Sequence, residues 1–298
     1  MINVSNLRKK YDDFVALDNF NMTVKKGAIY GLVGPNGAGK TTVLNHITGV
    51  YIPDFGDVKI EDESIFENIK IKEKIAYVPD DLKFFSSYTP NRAAKLYKGV
   101  YPKWNQKKYE EITTEFKLDK NKKISRMSKG MQKQAVFALT MSTTPDYLIL
   151  DEPVDGLDPI VRRRVWQYIV EAAADRCMTT LVSSHNLKEM EGICDSIGII
   201  SKGRVIMESD LDELKSDVHK VQVSFVGRPA PDYKGLNILH REIRGGVELM
   251  VIRNNKDVID KFADKYDPLI YDVLPLSLEE IFVYELGGEL DESEQSIF

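Results

Sequence analysis

The spacing of apolar residues changes character several times along this chain. Residues 2–7, 14–17 and 22–24 are short apolar or alternating runs broken by turn residues, and they predict strands. Residues 28–33, Ala-Ile-Tyr-Gly-Leu-Val, form a continuous apolar run suited to a buried strand, and residues 42–48 after it predict a helix. From about 82 to 138 the apolar residues recur at helical spacing, with helices predicted at 91–101 and 106–116. From 147 the pattern alternates: a strand at 147–150, a helix at about 160–174, a strand at 179–183 and a helix near 187–193. Residues 197–200 and 204–207, joined by Ser201-Lys202-Gly203, predict a hairpin. Such alternation predicts an α/β fold with a partly parallel sheet and helices on its faces. After about residue 216 a different segment begins. Alternating strands are predicted at 221–226 and 247–252 and a short amphipathic helix at 278–286, followed by an acidic, polar tail expected to be mobile.

The candidate chemistry begins where the apolar run 28–33 ends. Gly34-Pro35-Asn36-Gly37-Ala38-Gly39-Lys40-Thr41-Thr42 fits the phosphate-binding pattern G-x-x-x-x-G-K-[ST]. Its glycines let the backbone turn tightly and aim several N–H groups inward, as an anion nest. A helix beginning at Lys40 adds its positive end to the same spot. Lys40 is then placed for the β- and γ-phosphates, and the Thr41 hydroxyl for Mg²⁺. A second apolar strand, 147–150, delivers Asp151 and Glu152 at its C-terminal end, where ligands sit in open α/β sheets. Asp151 suits a Mg²⁺ ligand, directly or through water. Glu152 suits a general base that polarises the attacking water.

Composition narrows the classes. The net charge of −5 and pI near 5.6 give no general drive toward nucleic acid or anionic lipid. Cys177 and Cys194 lack metal-type spacing, and a reducing cytosol fits better than a disulfide framework. No apolar core of signal-peptide length opens the chain, and no run of about 18 apolar residues occurs. Work at a membrane is therefore expected to go through a partner.

Three further segments complete an ordered set: Met127-Ser128-Lys129-Gly130-Met131 before the strand carrying Asp151, Val154-Asp155-Gly156-Leu157-Asp158-Pro159 after Glu152, and Leu181-Val182-Ser183-Ser184-His185. Together with the phosphate loop they resemble the ATP-binding cassette (ABC) ATPases, the motor subunits of ABC transporters, over roughly residues 1–215. The resemblance implies a P-loop NTPase cassette with a mixed sheet and a small helical subdomain inserted at about 82–140, and the strands of the segment beyond it predict a small α+β accessory domain at 216–287. Residues 288–298 are then the mobile acidic tail.

In that family two cassettes face each other head to tail, and each ATP lies on one P-loop beneath the partner's signature motif. By this resemblance Gly34, Asn36, Gly37, Gly39, Lys40, Thr41 and Thr42 hold the phosphates, and Tyr11 stacks on adenine. Ser128 and Gly130 match the signature, Ser128 donating to the γ-phosphate; in isolation that segment reads first as an ordinary helix cap. His185 contacts the γ-phosphate and orients water, and Asp158 belongs to the loop that crosses the dimer interface.

Two departures stand out. Lys129 and Met131 replace a glycine and a glutamine of the usual signature, and Asp80 stands where the family has a metal-reaching glutamine. Asp80 is either an oxygen ligand of Mg²⁺ or the cap of the turn that follows it. The aromatics after it, Phe84, Phe85, Tyr88, Tyr97, Tyr101 and Trp104, lie where the family receives a membrane subunit; about half are expected to pack a core.

The implied function is ATP hydrolysis that powers export by transmembrane permease subunits on separate chains. The cofactors are ATP and Mg²⁺, and a second cassette, in a homo- or heterodimer, is the other partner. No nucleic acid is expected, and the implied location is cytoplasmic, peripheral on the inner face of the membrane. The Ser128-Lys129-Gly130-Met131 signature and the ending Leu278-Glu279-Glu280-Ile281-Phe282 resemble exporters of antibiotics, peptides or polysaccharides. The competing reading is a soluble ABC ATPase not coupled to transport. The two-cassette chain or long coiled-coil insertion that marks such proteins is missing from this sequence.

Overall fold

The computed structural model describes residues 1–82, 87–228 and 230–285. The chain divides into two compact units: residues 1–185 with 193–208, and residues 186–192 with the described residues from 209 onward.

The elements reaching the end of the first unit are β1 (Ile2–Tyr11), β2 (Phe14–Val24), β3 (Ile29–Val33), α1 (Lys40–Ile47), β4 (Phe55–Ile60), β5 (Glu63–Ser64), α2 (Ile69–Lys72), β6 (Ile75–Val78), α3 (Pro90–Val100), α4 (Gln106–Glu115), α5 (Lys129–Ser142), β7 (Tyr147–Asp151), α6 (Pro159–Arg176), β8 (Thr179–Ser184), β9 (Ser196–Ser201) and β10 (Arg204–Asp210). They build two sheets. One is antiparallel, in the order β2-β1-β4-β5. The other runs β10-β9-β3-β8-β7-β6, with β9, β3, β8, β7 and β6 all parallel. Every residue of β3, β7 and β8 is buried, which is why β3 and the first four residues of β7 form continuous apolar runs and not alternating ones, while β8 buries hydroxyl residues at both its ends. Helix α1 packs on β2, β4 and β7. Its Leu44 and Ile47 share one hydrophobic cluster with Ile2, Phe20 and Met22 of the antiparallel sheet and Ile149 and Leu181 of the parallel one. Because the central strands are parallel, the segments after β3, β6, β7 and β8 emerge at one edge.

The predicted helices at 91–101 and 106–116 form as α3 and α4. Thr89 caps the first, accepting from the Arg92 N–H with Pro90 in the first turn; Asn105 caps the second, accepting from the Lys108 N–H. Tyr88, Tyr97 and Trp104 pack against the buried Ala93, Ala94, Tyr109 and Leu139, and Tyr101 stacks on Tyr97. Phe84 and Phe85 lie outside the described residues. The helix expected near 187–193 does not form. A single 3₁₀ turn, Leu187–Glu189, stands there. Seven residues that include Gly192 offer too few propagating hydrogen bonds to offset helix nucleation.

The second unit continues with α7 (Leu211–Asp217), β11 (Val218–Ser224), β12 (Ile238–Arg244), β13 (Val247–Arg253), α8 (Lys256–Tyr266), β14 (Ile270–Leu274) and α9 (Leu278–Glu285). Its sheet is antiparallel, in the order β12-β13-β11-β14. Val221, Val223, Met250 and Ile252 from the sheet and Ile259 from α8 form its core. The tail 288–298 and the last residue of the predicted helix 278–286 lie outside the described residues. No helix among the described residues is long and apolar enough to cross a membrane.

Candidate nucleotide site

The loop between β3 and α1 is shaped by its glycines. Gly39 caps α1 with φ +110°, a conformation that a side chain disfavours. A Cβ placed on Gly34 would come within 2.3 Å of the Ile200 carbonyl oxygen, so only glycine lets the loop pass β9 so closely. The first helical residue is then Lys40, which is 6% exposed. Its Nζ donates to the carbonyls of Gly34 at 2.7 Å and Pro35 at 3.2 Å, and lies 3.3 Å from Glu152 Oε1.

The strand ends supply the acids. Asp151 closes β7 and is 1% exposed. Its Oδ2 accepts from the Thr41 hydroxyl at 2.7 Å and its Oδ1 from the Ser183 hydroxyl at 2.5 Å. Burial raises the Asp151 carboxyl above its usual range, against those two hydrogen bonds, and the charges of Glu152 and Asp80 push the same way as burial. Glu152 follows in the left-handed region, φ 47°, an uncommon backbone state for a side-chain-bearing residue. Its N–H donates to the Ser183 hydroxyl at 3.1 Å, and its Oε2 lies 2.9 Å from His185 Nδ1. Glu152 Oε1 is buried, accepts no hydrogen bond and faces the Lys40 ammonium. Lys133 reaches in from α5: its Nζ donates to the Glu152 carbonyl at 2.6 Å and to Asp80 Oδ1 at 3.0 Å.

Lys40, Thr41, Asp80 and Glu152 border a cleft of about 320 Å³. Tyr11, Phe14 and Ala16 line it together with Asn36, Gly37, Gly39, Lys40, Thr41, Thr42, Asp80 and Glu152. The cleft therefore has an aromatic wall that suits a flat base, and a nest of N–H groups and a lysine that suit phosphates. Tyr11 is 41% exposed and stands edge-on to Tyr51, 6.3 Å between centroids, which leaves its ring accessible to a stacking partner.

Among the described residues no three His, Cys, Asp or Glu side chains converge as a closed metal site. Mg²⁺ keeps waters and shares phosphate oxygens with one or two carboxylates. The Thr41 hydroxyl and the Asp151 carboxylate, 2.7 Å apart, are the hard oxygen donors such an ion takes.

Most of the residues singled out in the sequence therefore meet in or beside one cleft. Gly34, Asp151 and His185 stand beside it, hydrogen-bonded to the lining residues Lys40, Thr41 and Glu152, whereas Ser128, Gly130 and Asp158 lie elsewhere. Ser128 caps α5, accepting from the Met131 N–H at 3.3 Å. Gly130 packs towards the Gly156 carbonyl, 3.2 Å from where its Cβ would be, and Asp158 caps α6, accepting from the N–H groups of Ile160 and Val161. The sequence reading passed over Phe14, Ala16, Ser183 and Lys133. Of these Lys133 carried a signal: it is a charge among the run of buried residues 133–142 of α5.

The raised Asp151 carboxyl gives a stability test. A folded-state pKa above the unfolded value favours folding fully below about 3.9, and the contribution is lost as pH rises through the folded value. At pH 7 the ionised Asp151 therefore opposes folding. Asp151→Asn, without nucleotide or metal, is expected to melt no earlier than the unchanged chain, gaining roughly 2–4 °C per kcal/mol of relieved cost. The gap closes as pH falls toward 4. A clearly lower melting temperature at pH 7 would show that the Ser183 and Thr41 hydroxyls more than offset the burial.

Known proteins match this arrangement. A family model for ABC transporters matches residues 17–155. The ABC transporter ATP-binding protein YtrB of Bacillus subtilis is 30% identical over 289 residues, 97% of this chain and 99% of YtrB. The bacitracin transport ATP-binding protein BcrA of Bacillus licheniformis is 32% identical over 218 residues, 72% of this chain and 71% of BcrA. A solved ATP-binding subunit of an ABC transporter matches with a TM-score of 0.66 at 27% identity, covering 72% of this chain and 92% of that one. A dimeric ATP-binding cassette in a post-hydrolysis state with ADP and Pi matches with a TM-score of 0.63 at 23% identity, covering 71% of this chain and 99% of that one. A phosphate loop and an acidic strand end at one sheet edge, with near full-length similarity to YtrB, lead to one conclusion: the chain belongs to the ABC transporter ATP-binding proteins and is an ATPase subunit of that family.

Proposed function

We propose that residues 1–215 are the nucleotide-binding domain of an exporter, that residues 216–287 are an accessory domain, and that hydrolysis occurs in a head-to-tail dimer of cassettes. The exporter reading is supported by relatives named for bacitracin transport and multidrug transport. The dimer reading rests on one observation: Ser128 and Gly130 stand at the start of α5 and do not line the cleft of their own chain. A helix start with a serine hydroxyl and backbone N–H groups is a phosphate-binding end, and a second cassette's cleft supplies the phosphate. The transmembrane partners are separate chains, and the working position is the cytoplasmic face of the membrane.

Within the cleft, Tyr11 stacks on adenine, and the residues from Gly34 to Thr42 hold the phosphates. Lys40 exchanges its carbonyl acceptors for β- and γ-phosphate oxygens. Thr41, Asp151 and Asp80 are the oxygen donors that would hold Mg²⁺, which would supply charge neutralisation to the phosphates. Glu152 accepts the proton of the attacking water, and His185, hydrogen-bonded to it at 2.9 Å, orients that water.

Ser128→Glu tests the dimer. It sets a carboxylate against the partner's phosphates while leaving the cleft of its own chain intact. ATP affinity is expected to stay within about threefold, with hydrolysis and ATP-driven dimerisation, read by light scattering, falling roughly a hundredfold. Loss of ATP binding by the monomer would place Ser128 in its own nucleotide site and overturn the arrangement.

A further inference from the structure

Lys133 is the charged residue whose position the ATPase reading leaves unexplained. It lies on α5, the helix capped by Ser128, one turn beyond the cap, and its side chain is 8% exposed. A buried ammonium is costly unless it is paired and hydrogen-bonded. This one is held by two oxygens from different segments: the Asp80 carboxylate after β6 and the Glu152 backbone carbonyl after β7. Two facts make these contacts more than packing. The first is that Glu152 stands at φ 47°, a strained backbone state that persists only where its surroundings impose it. The 2.6 Å bond from Lys133 fixes the carbonyl of that same residue. The second is that Asp80 lines the nucleotide cleft with Glu152, beside Asp151, where an unneutralised third carboxylate repels the phosphates of ATP.

We propose that Lys133 is a positioning residue with two separable actions: it holds the backbone of Glu152 in the conformation that aims the base, and it neutralises Asp80 so that the cleft accepts nucleotide. This rests on the reading of Glu152 as the base. It goes beyond that reading because it ties α5, and hence the Ser128 end of that helix, to the base through one side chain. Any rotation of α5 that withdraws Lys133 releases both oxygens together. Tight seating of the Ser128 helix end and correct aim of Glu152 are then one event.

The two actions have different kinetic readouts. Asp80 acts through charge on the bound nucleotide, so its share appears in affinity. The Glu152 carbonyl acts on the geometry of proton transfer, so its share appears in kcat. Lys133→Met keeps the aliphatic stem and removes the ammonium. In the full chain it is expected to weaken binding of a fluorescent ATP analogue, measured with EDTA to exclude Mg²⁺, by about tenfold, and to lower kcat at saturating MgATP by at least about thirtyfold. Asp80→Asn combined with Lys133→Met is expected, again with EDTA, to return the affinity to within about twofold of the unchanged chain. Lys133→Arg, which keeps the charge and donors, is expected to retain most of the affinity and to recover part of kcat.

A role in stability alone would lower the thermal midpoint, and Asp80→Asn would rescue nothing; that result overturns the proposal. So does a Lys133→Met chain whose kcat stays within twofold, or a double variant that binds ATP as weakly as the single one. Glu152→Gln, assayed in parallel, separates this failure from failure of the base assignment. If Glu152→Gln turns over normally, the base is elsewhere, yet the affinity arm still reports on Asp80 and Lys133 without any hydrolysis.

Discussion

Glu152→Gln loses steady-state hydrolysis by about a thousandfold or more and still binds MgATP. General-base catalysis contributes on the order of 10²–10⁴ in rate, and an amide of the same shape cannot take the proton. The substitution leaves the geometry of the site largely in place. The side chain still reaches His185, 2.9 Å from Oε2, and the Glu152 N–H still donates to Ser183. Affinity for ATP is expected to be unchanged or higher. The carboxylate pairs with Lys40 at 3.3 Å, so its removal frees the ammonium for phosphate oxygens. With binding intact and hydrolysis blocked, the ATP-bound dimer accumulates. Phosphate release and light scattering on the same sample check both halves. Turnover at the unchanged rate would remove Glu152 from the role of base.

Lys40→Ala fails at the earlier step, with ATP affinity lower by roughly tenfold to a hundredfold. A hydrogen bond to a charged group is worth about 1.5–3 kcal/mol, and each 1.4 kcal/mol is tenfold in binding. Lys40 is 6% exposed, so water does little to screen its charge. Its loss also leaves Glu152 Oε1, a buried oxygen with no hydrogen bond, without the cation that faces it. Lys40→Met separates the charge from the packing of the stem and is expected to bind ATP as weakly as the alanine variant. Titration with a fluorescent ATP analogue decides the point, and unchanged affinity in either variant would take Lys40 off the phosphates.

The phosphate loop and the pair Asp151-Glu152 were legible in the sequence because each is a local arrangement. Gly34, Gly39 and Lys40 are fixed by spacing within one turn, and the acids follow directly on a buried strand. Helices α3 and α4 were legible for the same reason, since the helical spacing of their apolar residues is itself a local pattern. The accessory sheet was half legible. Strand β13 is an apolar alternation, whereas β12 carries His240, Arg241, Glu242 and Arg244 and is exposed or half-buried throughout, so little in it alternates clearly.

The sequence by itself thus determined which chemical groups this protein brings to a nucleotide, and in what order along the chain. Their meeting was decided only by the tertiary structure. Asp151 pairs with a hydroxyl 110 positions away in Thr41, His185 meets Glu152 across 33 positions, and Lys133 meets Asp80 across 53. No local preference encodes such distances. They follow from the parallel order of β3, β8, β7 and β6, which brings the segments after all four strands to one edge. Lys133 shows the limit most plainly: on an otherwise buried stretch of helix its charge reads as a misfit, and only the two oxygens that the folded chain sets beside it, from Asp80 and Glu152, give it a partner.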